Sequence, residues 1–92
     1  PPTRKENKVI NISDIGRLLK EFYEGKIENK SDAIKERENE IEINLTKLGY
    51  DKLLGKGTLK NNKRLTIIVK SFSKHAKEKI ENMGGRIITS VE

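Results

Sequence analysis

The sequence predicts a small α/β protein, a single domain with short, mostly parallel strands and two main helices. Three observations predict it. The chain has 92 residues, one domain's worth of polypeptide. Ile15, Leu18, Leu19 and Phe22 recur at i, i+3, i+4 and i+7, which is one face of a helix. A strand–helix–strand order occurs twice, and its second copy has connections short enough to predict a right-handed crossover between parallel strands.

Residues 1–8 read as an extended, Pro-led lead-in, and 9–92 as the globular domain. The β-branched run Val9-Ile10-Asn11-Ile12 predicts a strand. Ser13 suits an N-cap, and Asp14 falls in the first turn, where negative charge is favoured. The helix is expected over 14–24, with Gly25 as its stop. Residues 26–40 are charged and nearly free of apolar side chains, so they predict a variable, mobile loop with room for one helical turn after Ser31. Ile41, Ile43 and Leu45 alternate with Glu42 and Asn44, the pattern of a half-buried strand. Strand 9–12, helix and strand 41–45 would then copy the strand–helix–strand logic of the second half.

A turn, a short strand near Lys52–Leu54 and a Gly-Lys-Gly bend at 55–57 follow, with a further turn at Asn61-Asn62. Leu65, Ile67 and Val69 share one face of a strand, with Thr66, Ile68 and Lys70 on the other. Ser73 caps a second helix over 74–82, whose apolar side is Ala76, Ile80 and Met83, with Phe72 just before it. Gly84-Gly85 ends that helix, and Arg86 to Val91 is the last strand.

Charged residues are 37% and apolar residues 33%, so the core is small and leaves little room for a catalytic cleft. The absence of Cys excludes disulfides, thiolate chemistry and Cys-containing metal sites. The longest apolar run, Ile67-Ile68-Val69, is far short of the roughly 18 residues of a membrane span. There is no signal-peptide pattern either, so an intracellular, soluble protein is expected. The opening Pro1-Pro2, without an initiating Met, reads as a fragment or a processed product.

The net charge is +6, and it is lopsided. Residues 1–45 carry nine basic and ten acidic side chains, whereas 46–92 carry eleven and four. Such a basic half favours a polyanionic partner, although ordinary solvated lysines would give the same count. Lys outnumbers Arg fifteen to five, which points to phosphate and shape recognition rather than base reading. The only aromatics are Phe22, Tyr23, Tyr50 and Phe72, too few for a base-stacking platform.

Several local patterns lose to simpler readings. Gly49 and Gly55-Lys56 are separated by five residues and followed by Gly57, so they do not make a nucleotide-triphosphate loop. Glycines flanked by Lys could let the backbone approach phosphates, or could serve turns alone. His75 stands alone, without Cys or clustered carboxylates, and is a solvated residue or a phosphate neighbour rather than a ligand. Glu36, Glu38, Glu40 and Glu42 lack the Gly-containing pattern of a calcium loop and read as a solvated face. Ser73 and His75 lack a third, orienting group, so the capping role explains Ser73 better than nucleophilic catalysis.

Two long ordered blocks resemble a known family. Lys47-Leu48-Gly49-Tyr50-Asp51-Lys52-Leu53-Leu54-Gly55-Lys56-Gly57 resembles the hallmark of the large-subunit ribosomal protein family "L-fifteen", in its archaeal and eukaryotic branch. The run Ile68-Val69-Lys70-Ser71-Phe72-Ser73-Lys74-His75-Ala76, continuing through helix 74–82 to Gly84-Gly85, resembles the same family's closing signature. The opening Val9 to Leu19 fits as well. A related family, "L-eighteen-e", shares the Phe-Ser…Gly-Gly ending, but the Leu-Gly-Tyr-Asp-Lys-Leu-Leu-Gly-Lys-Gly run favours the former. The family's basic, Gly-rich N-terminal arm is missing from these residues, which resemble the globular part alone.

The resemblance implies an irregular superhelix of strand–strand–helix units. It implies a structural role in translation on the cytoplasmic ribosome, with large-subunit ribosomal RNA and neighbouring large-subunit proteins as partners. It implies no catalysis, cofactor, metal, membrane or small-molecule substrate. The expected RNA contacts are Lys52, Lys56, Lys60, Lys63 and Arg64 around the glycine segment, with Lys47 and Tyr50 before it. Lys74, His75 and Lys77 would add a second contact at a helix start, whose amides favour phosphate. Lys70, Arg86 and the lead-in's Arg4, Lys5 and Lys8 complete the set. The alternative is a protein-interaction module of a ribonucleoprotein that docks through an exposed sheet edge. A small enzyme is disfavoured, because no acid–base pair stands out.

Overall fold

The computed structural model describes residues 8–26, 33–61 and 63–89. Arg4, Lys5, Ser31, Asn62 and the strand's end at Ser90-Val91 lie outside the described residues, whereas residues 34–36, where a helical turn after Ser31 is expected, form a strand. The elements run β1 (Val9–Asn11), α1 (Ile12–Tyr23), β2 (Ile34–Glu36), β3 (Glu40–Asn44) and β4 (Lys52–Leu54). They continue with β5 (Arg64–Val69), β6 (Ser71–Phe72), α2 (Lys74–Asn82) and β7 (Arg86–Thr89). Two sheets result. The three-stranded sheet has the order β1-β4-β6 and is parallel throughout. The four-stranded sheet has the order β2-β3-β5-β7, parallel except where β2 pairs with β3. The α/β class, the two helices and the predominance of short parallel strands agree with the sequence.

One apolar cluster joins both sheets and both helices. Ile41, Ile43 and Leu45 from β3 and its end meet Leu65, Ile67 and Val69 of β5, with Ile12, Ile15 and Leu19 of α1 and Ile80 of α2 in the same core. Each such side chain contributes roughly 1.5–3 kcal/mol on burial. β5 is the strand most deeply set. The alternation in its sequence predicts an outer face bearing Thr66, yet Thr66 is only 2% exposed. Parallel strands are commonly covered on both faces, so the polar side of β5 becomes interior. Its hydroxyl is satisfied there by donating to the Glu40 carboxylate.

Three expectations need correction. α1 begins at Ile12, not at 14, and Asn11 rather than Ser13 is the N-cap. The Asp14 carboxylate accepts from the Asn11 amide at 3.1 Å, and the fully buried Ile12 anchors the first turn in the core. The predicted charged loop contains β2, because Ala33 and Ile34 are buried and Ile34 pairs in register with Ile43. The third concerns pairing. β1 lies beside β4, in a different sheet from β3, so the first half does not copy the second. Alternation reports which face of a strand is buried, not which strand it pairs with.

Both helix ends follow the glycine rule. At α1, Gly25 has φ +73, its amide donates to Phe22 O, and the Lys26 amide donates to Glu21 O. At α2, Gly84 has φ +81, its amide donates to Glu81 O, and the Gly85 amide donates to Ile80 O. Gly85 has a second duty. A Cβ on it would collide with the carbonyl of Leu65, so a side chain there would wedge β7 away from β5. Ser73 caps α2 as predicted, its hydroxyl accepting from the Ala76 amide at 3.2 Å.

Gly85→Ala should therefore cost about 1–3 kcal/mol, the range of overpacking a filled site. Ser73→Ala should cost about 1 kcal/mol, the usual loss of an N-cap. Urea denaturation of the two variants checks both, and a Gly85→Ala variant as stable as the parent would contradict the packing described.

Candidate nucleic-acid interface

Because β1, β4 and β6 are parallel, their carboxyl ends share one edge. β1 runs directly into α1, and β6 runs through Ser73 into α2. The middle strand, β4, runs into Gly55-Lys56-Gly57, and this bend lies against the opening turns of both helices. A Cβ on Gly55 would stand 2.7 Å from His75 Cβ and 2.8 Å from Ala76 N. Gly57 has φ +89, and a Cβ there would collide with Ser13. The bend is tied at two carbonyls. The Ser13 amide donates to Lys56 O at 3.2 Å, and Lys79 Nζ donates to Gly57 O at 2.6 Å. The glycines thus serve close approach to the protein's own helices, rather than leaving the backbone open to an outside phosphate.

Four of the predicted contact residues meet at this edge. Lys56 is exposed at the tip of the bend, and Lys74, His75 and Lys77 are exposed on the first turn of α2. None of them has an ion pair or side-chain hydrogen bond among the described residues. The start of a helix also carries the positive end of its dipole and amides without an intrahelical partner. The edge is therefore a cationic surface on a rigid base.

A second group gathers at the opposite end of the three-stranded sheet. Lys8 precedes β1, Lys52 opens β4, and Lys70 precedes β6, with Val9 and Ser71 both in register with Lys52. The Lys8 amide donates to the Asp51 carboxylate at 3.1 Å, and the Asp51 amide donates to Lys8 O at 2.7 Å. Lys47 sits in the turn after β3, and the half-buried Tyr50 follows, its amide donating to Leu45 O. Lys60 is exposed in the irregular segment before β5.

The third group lies at the amino end of the four-stranded sheet and is not simply basic. Lys63 Nζ donates to Glu36 Oε2 at 2.7 Å and to Arg37 O at 2.8 Å, so it is engaged by its own carboxylate. Tyr23 donates its hydroxyl to the same Glu36 oxygen at 2.8 Å. Arg64 and Arg86 open β5 and β7 beside Glu40. From Arg64 to Lys70 the chain spans about 20 Å at the usual rise of a strand, so the predicted residues do not form one patch.

Sequence reasoning missed Ser13 and Lys79, which hold the bend, and Glu36, Glu40 and Thr66, which shape the third group. Only the Glu alternation hinted at the latter, and it reads as solvated unless the partner strand is known. Lys63, then Tyr23, hold the Glu36 carboxyl below the usual carboxylate range. The Thr66 hydroxyl, then the charges of Arg37, Arg86 and Arg64, do the same for Glu40. Partial burial pushes the Tyr23 hydroxyl up, and the Glu36 carboxylate adds to the rise. Among the described residues no helix is long and apolar enough to cross a membrane.

Comparison with known proteins gives a consistent result. The model of the family that unites ribosomal proteins 50S-L15 and 50S-L18e with the 60S protein "L-twenty-seven-A" matches residues 4–88. A protein of Staphylothermus marinus named "Large ribosomal subunit protein uL15" is 38% identical over 79 residues, covering 86% of this chain and 47% of its own length. Proteins of the same name from Pyrobaculum aerophilum and Methanococcus vannielii are 38% and 30% identical, covering 95% and 91% of this chain. They are covered over 51% and 52% of their own lengths, so the chain spans about half of the relatives it matches.

The lowered carboxyls contribute to the acid behaviour. Each contributes stability that is complete above the ordinary Glu value of about 4.3 and is lost as the pH falls through its lowered folded value. Glu40→Gln should make the decline of stability below about pH 4.3 shallower than in the parent. Urea midpoints taken between neutral pH and pH 3 measure this, and parallel acid limbs would remove the assigned role.

Proposed function

The chain belongs to the family of ribosomal proteins 50S-L15, 50S-L18e and 60S "L-twenty-seven-A", and from that premise we propose that it is a structural part of the large ribosomal subunit that binds large-subunit RNA. The observation that carries the reading is the carboxyl edge of the three-stranded sheet. Lys56, Lys74, His75 and Lys77 stand there on a glycine-locked base, with no carboxylate within ion-pair distance among the described residues. Lysine heads act as point charges on phosphates, and each contact releases condensed counterions from the RNA. Such contacts position a protein without reading sequence. The group around Lys8, Lys52 and Lys70 extends the cationic surface toward the other end of the same sheet.

In this reading the protein is a scaffold that performs no chemistry and takes no cofactor or small-molecule substrate. Its place is the ribosome in the cytoplasm, with neighbouring large-subunit proteins as further partners. The relatives share the name uL15, which favours the 50S-L15 branch over 50S-L18e.

Binding to large-subunit RNA should weaken steeply with salt, each phosphate contact adding roughly 0.7–0.9 to the log–log slope. Lys56→Glu should reduce affinity by about tenfold and lower that slope by about one unit. Lys35→Glu, an equal change of charge on the outlying strand β2, should change affinity less than about twofold. Equal effects of the two substitutions would remove the proposed surface. Lys63→Glu is expected to act through stability instead, because it destroys the pairing with Glu36.

A further inference from the structure

The amino end of the four-stranded sheet holds a recess of about 230 Å³ whose walls differ in chemistry. Glu40, Arg64 and Arg86 line it together with the bare backbone of Gly84-Gly85, and Glu40 and Arg64 are register partners on adjacent strands. We propose that this recess receives a single unpaired guanosine nucleotide of the RNA, with the Glu40 carboxylate pairing the base edge and Arg64 and Arg86 holding its phosphate. The proposal rests on the RNA-binding reading above and names the ligand of a different part of the surface.

The carboxylate decides between ligands. An ionised carboxylate only accepts hydrogen bonds, and it repels a bare phosphate. A simple anion is therefore a poor match for a pocket with Glu40 in its wall. A ligand that brings an anion for the two guanidinium groups and donors for the carboxylate matches both. Among the four RNA bases, guanine alone presents two parallel donors, N1–H and the N2 amino group, on one edge. Adenine and cytosine present one amino group there, and uracil one imide N–H.

Glu40 is preset for that task. Thr66, itself almost fully buried, donates to its Oε2, which fixes the carboxylate at the mouth of β3. The other oxygen, Oε1, lies 3.9 Å from Arg37 Nη1, within ion-pair range but beyond a hydrogen bond. Both oxygens retain lone pairs for a ligand. Arg64 and Arg86 are exposed and form no ion pair among the described residues, so their planar heads can meet a phosphate or stack on a base. The base must be unpaired, because pairing would hide the edge that Glu40 reads.

The test is a titration of the isotopically labelled chain, followed by amide NMR, with the four nucleoside 5′-monophosphates at matched ionic strength. GMP should shift the amides of Leu65, Gly84, Gly85 and Arg86 at concentrations at least fivefold below those needed for AMP, CMP or UMP. Glu40→Gln should abolish that preference, and Lys35→Glu, on the exposed face of β2, should leave it intact. Equal shifts by all four nucleotides, or none at these amides, would overturn the proposal, as would a preference that survives Glu40→Gln. If Glu40→Gln does not fold, the wild-type comparison decides alone, with Arg86→Ala expected to weaken GMP. Large-subunit RNA binding is measured in parallel. A wild-type chain that binds RNA without preferring GMP overturns the recess only, whereas one that binds no RNA brings down the underlying reading.

Discussion

The packing of Gly55 and Gly57 against two helix starts is the contact on which the rest of the molecule turns. Three parallel strands deliver their carboxyl ends to one edge, and the chain continues from each. Two continuations are helices, and the third must pass between them. It can do so only without side chains, because a Cβ on Gly55 meets His75 and one on Gly57 meets Ser13. The Ser13 amide and the Lys79 ammonium then hold the carbonyls of Lys56 and Gly57. The consequence reaches the surface. The backbone of Lys56 is thereby held beside the first turn of α2, where Lys74 and His75 stand.

Helix signals were the most legible part of the sequence. Ser73, the spacing Ala76, Ile80 and Met83, and Gly84 each specify α2 by local chemistry, and each acts as read. At α1 the local reading slipped by two residues. Asn11, Ser13 and Asp14 can all act at a helix start, and the choice fell to Ile12, which the core demanded. β2 was hidden because its apolar content is one residue, Ile34, with Lys35 and Glu36 exposed. A strand of that kind is defined by its partner, and partners are not encoded locally. The same gap sent β1 to the wrong sheet, since nothing in Val9-Ile10-Asn11 names β4.

The candidate site was legible as charge but not as arrangement. Counting Lys and Arg found the basic half, yet charge is conferred on a surface only after neighbours are subtracted. Lys63 is neutralised by Glu36, which lies 27 residues earlier, and Glu40 is the register partner of Arg64. The acidic first half is thereby folded onto part of the basic second half at the amino end of the four-stranded sheet. The carboxyl edge of the three-stranded sheet escapes this, because the elements meeting there bring Lys56, Lys74 and Lys77 and no described carboxylate pairs with them. The sequence left the glycine-and-lysine segment open between approach to phosphates and turns alone, and the structure gives its glycines to packing against the two helices while Lys56 faces outward.

In the proposed reading the two ends divide the work of recognition on physical grounds. A surface of lysines gains affinity from any phosphate and so carries no information about sequence. A mixed surface is different. A carboxylate beside arginines penalises every ligand that offers only negative charge, and the penalty is relieved by one that also offers donors in the right place. Discrimination of this kind comes from the repulsive element as much as from the attractive one. Thr66 matters here because it is buried among the apolar residues of β5 with Glu40 as its hydrogen-bond partner. A buried hydroxyl on the central strand is costly unless satisfied, and satisfying it holds Glu40 at the rim rather than free to swing toward Arg64 or Arg86. The core thus keeps Glu40 beside Arg64 and Arg86 without an ion pair to either among the described residues, which is the condition for the selective contact proposed above.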